Sequence, residues 1–178
     1  MTRSQDKALF DALPKEKQAD FLLMQLRNLW AVDGLYYLGI EEKYGTEIAT
    51  EIDAKVWSIM GKIEARKLKE FFDIKIIDIP TAMKLLSYTG WAIDLEDKEI
   101  EVHKDRAIIR NTHCRVQTTR LSKGLAEFGC KTVRLGYLQA FVNELDPRLH
   151  VTCVRCPPDP HPKTLWCEWE LTLKESKP

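Results

Sequence analysis

The apolar residues of this chain change their spacing near its midpoint, and that change limits the fold more than any other feature. From Lys15 to about Tyr37, the residues Leu22, Leu26, Leu29, Trp30, Tyr36 and Tyr37 recur three or four apart. That is the period of a helix with one apolar stripe. Pro14 suits its first turn, where a missing N–H costs nothing, and Gly34 is the weak point at which it would break. A second helix, from about Gly45 to Phe72, is expected to turn Ile48, Ile52, Val56, Ile59, Met60 and Ile63 to its inner face. Pro80 stops the run "IKIIDIP", and "TAMKLLSYTG" reads as a short helix closed by Gly90.

Beyond that point the period becomes two. Trp91 to Leu95, Glu99 to His103 and Ala107 to Gln117 are β-rich pieces separated by short charged turns, the pattern of a meander. "TRLSKGLAEFG" is a connector, and Lys131 to Leu145 returns to helical spacing through Val133, Tyr137, Phe141 and Leu145. Two last strands follow, His150 to Cys156 and Thr164 to Leu173. The expected fold is α+β, an N-terminal helical layer packed on a C-terminal antiparallel sheet with one inserted helix. At 178 residues the chain fits a single domain, 1–178, with 1–89 mainly helical and 90–178 carrying the sheet and the helix at about 131–145.

Charge narrows the partners. With 27 basic and 27 acidic side chains the net charge is zero, which supplies no long-range field for nucleic acid or acidic membranes. No apolar run reaches bilayer length and "MTRSQDKALF" carries no secretory signal, so a cytoplasmic protein without nucleic-acid or membrane partners is expected. Five cysteines, an odd number, then read as reduced thiols that pack, bind metal or react.

Three of them fall in "CVRCPPDPHPKTLWCEWEL", Cys153 to Leu171. Alternation along a strand sends Cys153 and Cys156 to opposite faces, whereas Leu165, Cys167, Trp169, Leu171 and Leu173 share a core face. Cys167 then lies beside Cys153 or Cys156, according to a register that remains open. The prolines fix φ and present Asp159 and His161 stiffly. Cys130 immediately precedes a helix, where free N–H groups favour a thiolate, and Cys114, next to His113, could meet it across the connector. In the helices, Asp33 falls in phase with Leu22, and Asp53, Trp57, Met60 and Glu64 line a second stripe. Were the helices antiparallel, Asp33, Asp53 and Glu64 could converge on a cation, an arginine or a substrate amine. Otherwise the acids pair with Arg66 or Lys62.

The stretches "LWAVDGLYYL", "GKIEARKL", "CRVQTTRLSKGLAEFGCK", "ELDPRL" and "CVRCPPDPHP…WCEWEL" together resemble a family of uncharacterised bacterial and archaeal cytosolic proteins, a domain of unknown function, from about Phe21 to Leu173. More distantly, a helical layer followed by cysteine-bearing strands resembles the L-2-amino-thiazoline-4-carboxylate hydrolases, which open a cyclic sulfur–nitrogen substrate, and vinyl-4-reductase-like domains, which bind small apolar molecules. The resemblance implies roles for Cys114, Cys130, Cys156 and Cys167, with Asp159.

Three functions are consistent with these residues. The first is a small-molecule-binding protein, its pocket lined by Trp30, Tyr37, Trp57 and Trp169, with Asp33 or Glu64 as polar anchors and Cys114, Cys156 and Cys167 at the site. The second is a hydrolase of a small C–N or C–S compound, with Cys130 as nucleophile and Asp159 or His161 as acid or base. The third is a zinc or iron–sulfur protein with ligands from Cys114, Cys130, Cys153, Cys156 and Cys167. A homodimer through exposed last-strand residues such as Trp166 is also expected.

Overall fold

The structure, a computed structural model, describes residues 2–174. The chain divides into two compact units, Met1–Tyr36 and Tyr37–Pro178. In the first, Thr2 opens helix α1 (Arg3–Asp11), its backbone N–H donating to Gln5 Oε1 at 2.7 Å. Phe10 of α1 lies 6.3 Å from Phe21 of α2 (Lys15–Tyr44) between ring centroids. Helix α2 passes through Gly34 without the break its sequence suggested and enters the second unit at Tyr37. A single glycine costs a helix only about 1 kcal/mol, which thirty residues of helix absorb.

Gly45, at φ +88°, turns the chain into α3 (Thr46–Phe71). Here the expected inner face is the outer one. Ile48, Ile52, Val56, Ile59 and Ile63 are 36–53% exposed, whereas Ala49, Gly61 and Ala65 are buried. The reason is the neighbour. Helix α7 (Lys131–Leu145) brings its backbone at Tyr137 and Phe141 against α3, and so close an approach fits only where the facing helix is shaved to small residues. A Cβ on Gly61 would stand 2.5 Å from the Tyr137 carbonyl oxygen.

Asp78 caps α4 (Ile79–Ser87) by accepting from Thr81 N at 2.8 Å. Thr89 likewise caps α5 (Gly90–Asp94), accepting from Ala92 N at 3.2 Å. The segment expected as a strand from Trp91 to Leu95 is therefore helix as far as Asp94, because a threonine cap followed by Trp91 and Ala92 buries both residues on one short turn.

Four strands form one antiparallel sheet: β1 (Lys98–Val102), β2 (Arg106–Asn111), β3 (Leu149–Arg155) and β4 (Cys167–Leu173), in the order β1-β2-β4-β3. The fold class is α+β. Helices α4 and α7 cover the sheet, and α3 packs chiefly on α7. The third expected strand stops at Asn111, and Cys114 opens helix α6 (Arg115–Ser122) within what read as strand and connector. Strand β4 keeps its predicted faces, with Cys167, Trp169 and Leu171 buried. It is an inner strand, however, and Trp166 just before it is half-buried against His161 at 4.8 Å between centroids. The expected dimer edge is absent there.

Candidate functional site

The site grows from two chain segments held together by backbone bonds. Strand β3 keeps its register as far as Cys153, opposite Trp169, and shifts between Cys153 and Arg155, so Arg155 stands opposite Glu168 and Cys156 lies just past the strand end, fully buried. The turn after it is closed by Asp159 N donating to the Cys156 carbonyl at 3.0 Å, and the Pro157–Pro158 bond is cis. Lys131 N, in the first turn of α7, donates to the Pro157 carbonyl at 2.9 Å, and Lys131 Nζ reaches Asp159 Oδ2 at 2.7 Å. These bonds bring Cys130, at the α7 N-cap, against Cys156: the two sulfurs are 3.3 Å apart. Cys167, at the start of β4, is close enough to Cys156 for the two thiols to influence each other's ionisation. Cys114 and Cys153 lie within electrostatic reach of both Cys130 and Cys167. All five are free thiols.

Two residues absent from the expected site support it. Gln117 is buried in α6, and its side chain donates to the Phe128 carbonyl at 2.7 Å and accepts from Phe128 N at 2.8 Å. It thereby fixes the backbone two residues ahead of Cys130. Arg120 donates to the Ala126 carbonyl at 2.9 Å and to both oxygens of Glu41 at 2.8 and 3.0 Å. Their spacing of three from each other, with Gln117 three beyond Cys114, was the only sequence signal for either.

The electrostatics of the thiols differ. The hydrogen bond from Cys156, with the charge of Arg134, holds Cys167 below the ordinary thiol range, although burial acts against it. Cys156 is driven far above that range by its bonds to Cys130 and Cys167 and by burial. Burial also pushes Cys114 up to about 12 and raises Cys153. Three buried polar atoms near Cys167 lack a hydrogen-bond partner: Asn111 Oδ1, Trp169 Nε1 and Arg134 Nη1. Asn111 stands opposite Cys167 in the sheet, and Trp169 is two residues along the same face. Arg134 sits over the rings of Trp57, Trp91 and Tyr137 at 4.9–5.4 Å.

The remaining expected site residues are engaged elsewhere. His161 faces Glu127 Oε2 and the Pro162 carbonyl, each at 3.2 Å, so both its ring nitrogens are occupied away from the thiols. Glu64 accepts from Gly90 N and Tyr137 Oη, both at 2.8 Å, which makes it a structural brace. Asp53 and Glu64 stand eleven residues apart on α3, about 16 Å, too far to share one small ligand. Arg66 pairs with Glu144 at 3.0 Å rather than with the α3 acids. Asp33 belongs to the first unit. The aromatics fill the core: Tyr37 is 4.8 Å from Phe128, Trp57 is 5.7 Å from Tyr137, and Trp169 is 1% exposed. An apolar cavity bounded by Met83, Leu138 and Trp169 measures about 10 Å³, room for one water at most. Among the described residues no group of three or more His, Cys, Asp or Glu side chains is placed to hold a metal ion as the structure stands, and no helix is long and apolar enough to cross a membrane.

Fold and site together define an α+β protein built around a buried thiol cluster between the start of one helix and the ends of two strands. The family of unknown function DUF6125 matches residues 11–173, and the chain belongs to that family. No curated protein matches it. Among solved structures it is similar to a trafficking protein particle complex subunit 3 from Naegleria fowleri, crystallised covalently bound to palmitic acid. Identity is 10% over 90% of this chain and 98% of that one, with a TM-score of 0.48.

Proposed function

We propose that this is a thiol-cluster domain in which Cys130, Cys156 and Cys167 rearrange to take up one zinc-class ion, with Cys114 or Cys153 completing the set, since the thiols as they stand do not form such a site. The observation that carries the reading is the approach of the Cys130 and Cys156 sulfurs to 3.3 Å from segments 26 residues apart, with the Cys167 thiol electrostatically coupled to Cys156. Soft thiolates select zinc. Tetrahedral ligation at about 2.3 Å spaces sulfurs about 3.8 Å apart, so these thiols, now linked as S–H···S, would lose protons and separate by about half an ångström. The unpartnered Arg134 N–H and the Trp169 N–H beside Cys167 support a negative sulfur cluster, since each would find an acceptor there. An all-thiolate set leaves no open position, so the ion would be structural, tying α7 to β3 and β4. A thiol hydrolase has less support, because His161 is bonded to Glu127 and Asp159 to Lys131. Binding of a small molecule has less support because the aromatics fill the core.

The test is elemental analysis of the full chain, prepared without chelator or affinity-tag metal, with native thiol alkylation mapped by mass spectrometry. Near one equivalent of zinc is expected, with Cys130, Cys156 and Cys167 protected until a chelator is added. A protein that neither carries nor takes up zinc, with those three thiols alkylated at once, would sink the proposal.

A further inference from the structure

We propose that the outer face of α3 is an antiparallel dimer interface with a second copy of this chain. Ile48, Ile52, Val56, Ile59 and Ile63 form an exposed stripe about 22 Å long on a helix whose other face is buried against α7. A continuous aliphatic face of this extent marks an interaction surface rather than ordinary scattered exposure.

Two features select the occupant. The first is the symmetry of the stripe. Ile48 and Ile63 lie equally far on either side of the point between Lys55 and Val56, and so do Ile52 and Ile59. A two-fold axis through that point sets Ile48 against the partner's Ile63 and Ile52 against the partner's Ile59, as an isologous interface requires. The second is charge. Residues 46–58 carry Glu47, Glu51 and Asp53 against Lys55, a net charge of −2. Residues 59–71 carry Lys62, Arg66, Lys67 and Lys69 against Glu64 and Glu70, a net charge of +2. Antiparallel pairing sets the acidic half of each copy against the basic half of the other, whereas parallel pairing opposes like with like. On one flank of the stripe Glu51 would face the partner's Lys62. Lys55, close to the axis, sits four residues after Glu51, which is placed to neutralise it.

The test is sedimentation of the full-length protein over a dilution series. The wild type is expected to dimerise, and Val56→Asp to be monomeric with an unchanged circular dichroism spectrum. Glu51→Lys and Lys62→Glu should each weaken the dimer by about tenfold. An equimolar mixture of those two variants should recover the wild-type affinity, because every flank pair is again of opposite sign. A wild type that is monomeric at every concentration, a dimer indifferent to Val56→Asp, or a mixture no tighter than either variant alone would each overturn the proposal.

Discussion

At the scale of single residues, the polar groups around the thiols govern stability. Glu41 is held below the usual glutamate range chiefly by its hydrogen bonds from Arg120, with Thr46 adding to the effect. A depressed folded value means the unfolded chain binds the proton more readily. The stabilisation is therefore complete above the ordinary glutamate pKa and is lost as pH falls through the lower folded value. Glu41→Gln should cost about 1.5–3 kcal/mol at neutral pH and remove that acid-range slope, as denaturant titrations at several pH values would read. Metal retention should show the same direction, since Cys156 must give up a firmly held proton to become a ligand. Bound zinc should dissociate as pH falls, and Cys156→Ser should abolish retention at neutral pH, both measurable with a chromophoric zinc indicator. The cysteines were legible in the sequence as a set because thiols are rare and clustered. Gln117 and Arg120 were not, because a polar residue in a short helix looks alike whether it faces water or a buried backbone.

At the scale of elements, α3 separates what periodicity can reveal from what it cannot. Its length and ends were readable, yet its orientation came out reversed, because a helix with isoleucines on one side and alanine or glycine on the other carries two packing faces. Hydrophobicity ranks the isoleucines first. Close approach to α7 instead selects Ala49, Gly61 and Ala65. Gly61→Ala should therefore destabilise the fold by about 1–3 kcal/mol, because the added methyl meets the Tyr137 backbone. Ile59→Ser should shift the stability of the dilute monomer by no more than about 0.5 kcal/mol. Thermal denaturation of both variants at low concentration checks the pair, and the opposite ranking would restore the periodic reading. The same competition explains α5 and α6. In α5 the Thr89 cap outweighs a β-rich composition, whereas α6 starts at Cys114 without a side-chain cap and is tied down by the buried Gln117.

At the scale of the whole molecule, the two units differ in how much each buries. Helix α1 has no buried residue, so removing residues 1–11 should leave the melting temperature within about 2 °C of the full chain, as calorimetry would show. The second unit depends on a seam between distant parts of the sequence. The bond from Tyr137 to Glu64 joins residues 73 apart, and closing a loop of that length costs about 4 kcal/mol of chain entropy. Glycine and alanine on the α3 side freeze no rotamers when the seam forms, which leaves that closure as its principal entropic barrier. Local pieces such as the β1–β2 hairpin can assemble before the long-range joints, which are the β2–β4 pairing and the meeting of α3 with α7. If the α3–α7 seam forms after the transition state, Tyr137→Phe should speed unfolding while leaving the refolding rate nearly unchanged in stopped-flow measurements, and the lifetime of the folded state is then set at the joint between two helices.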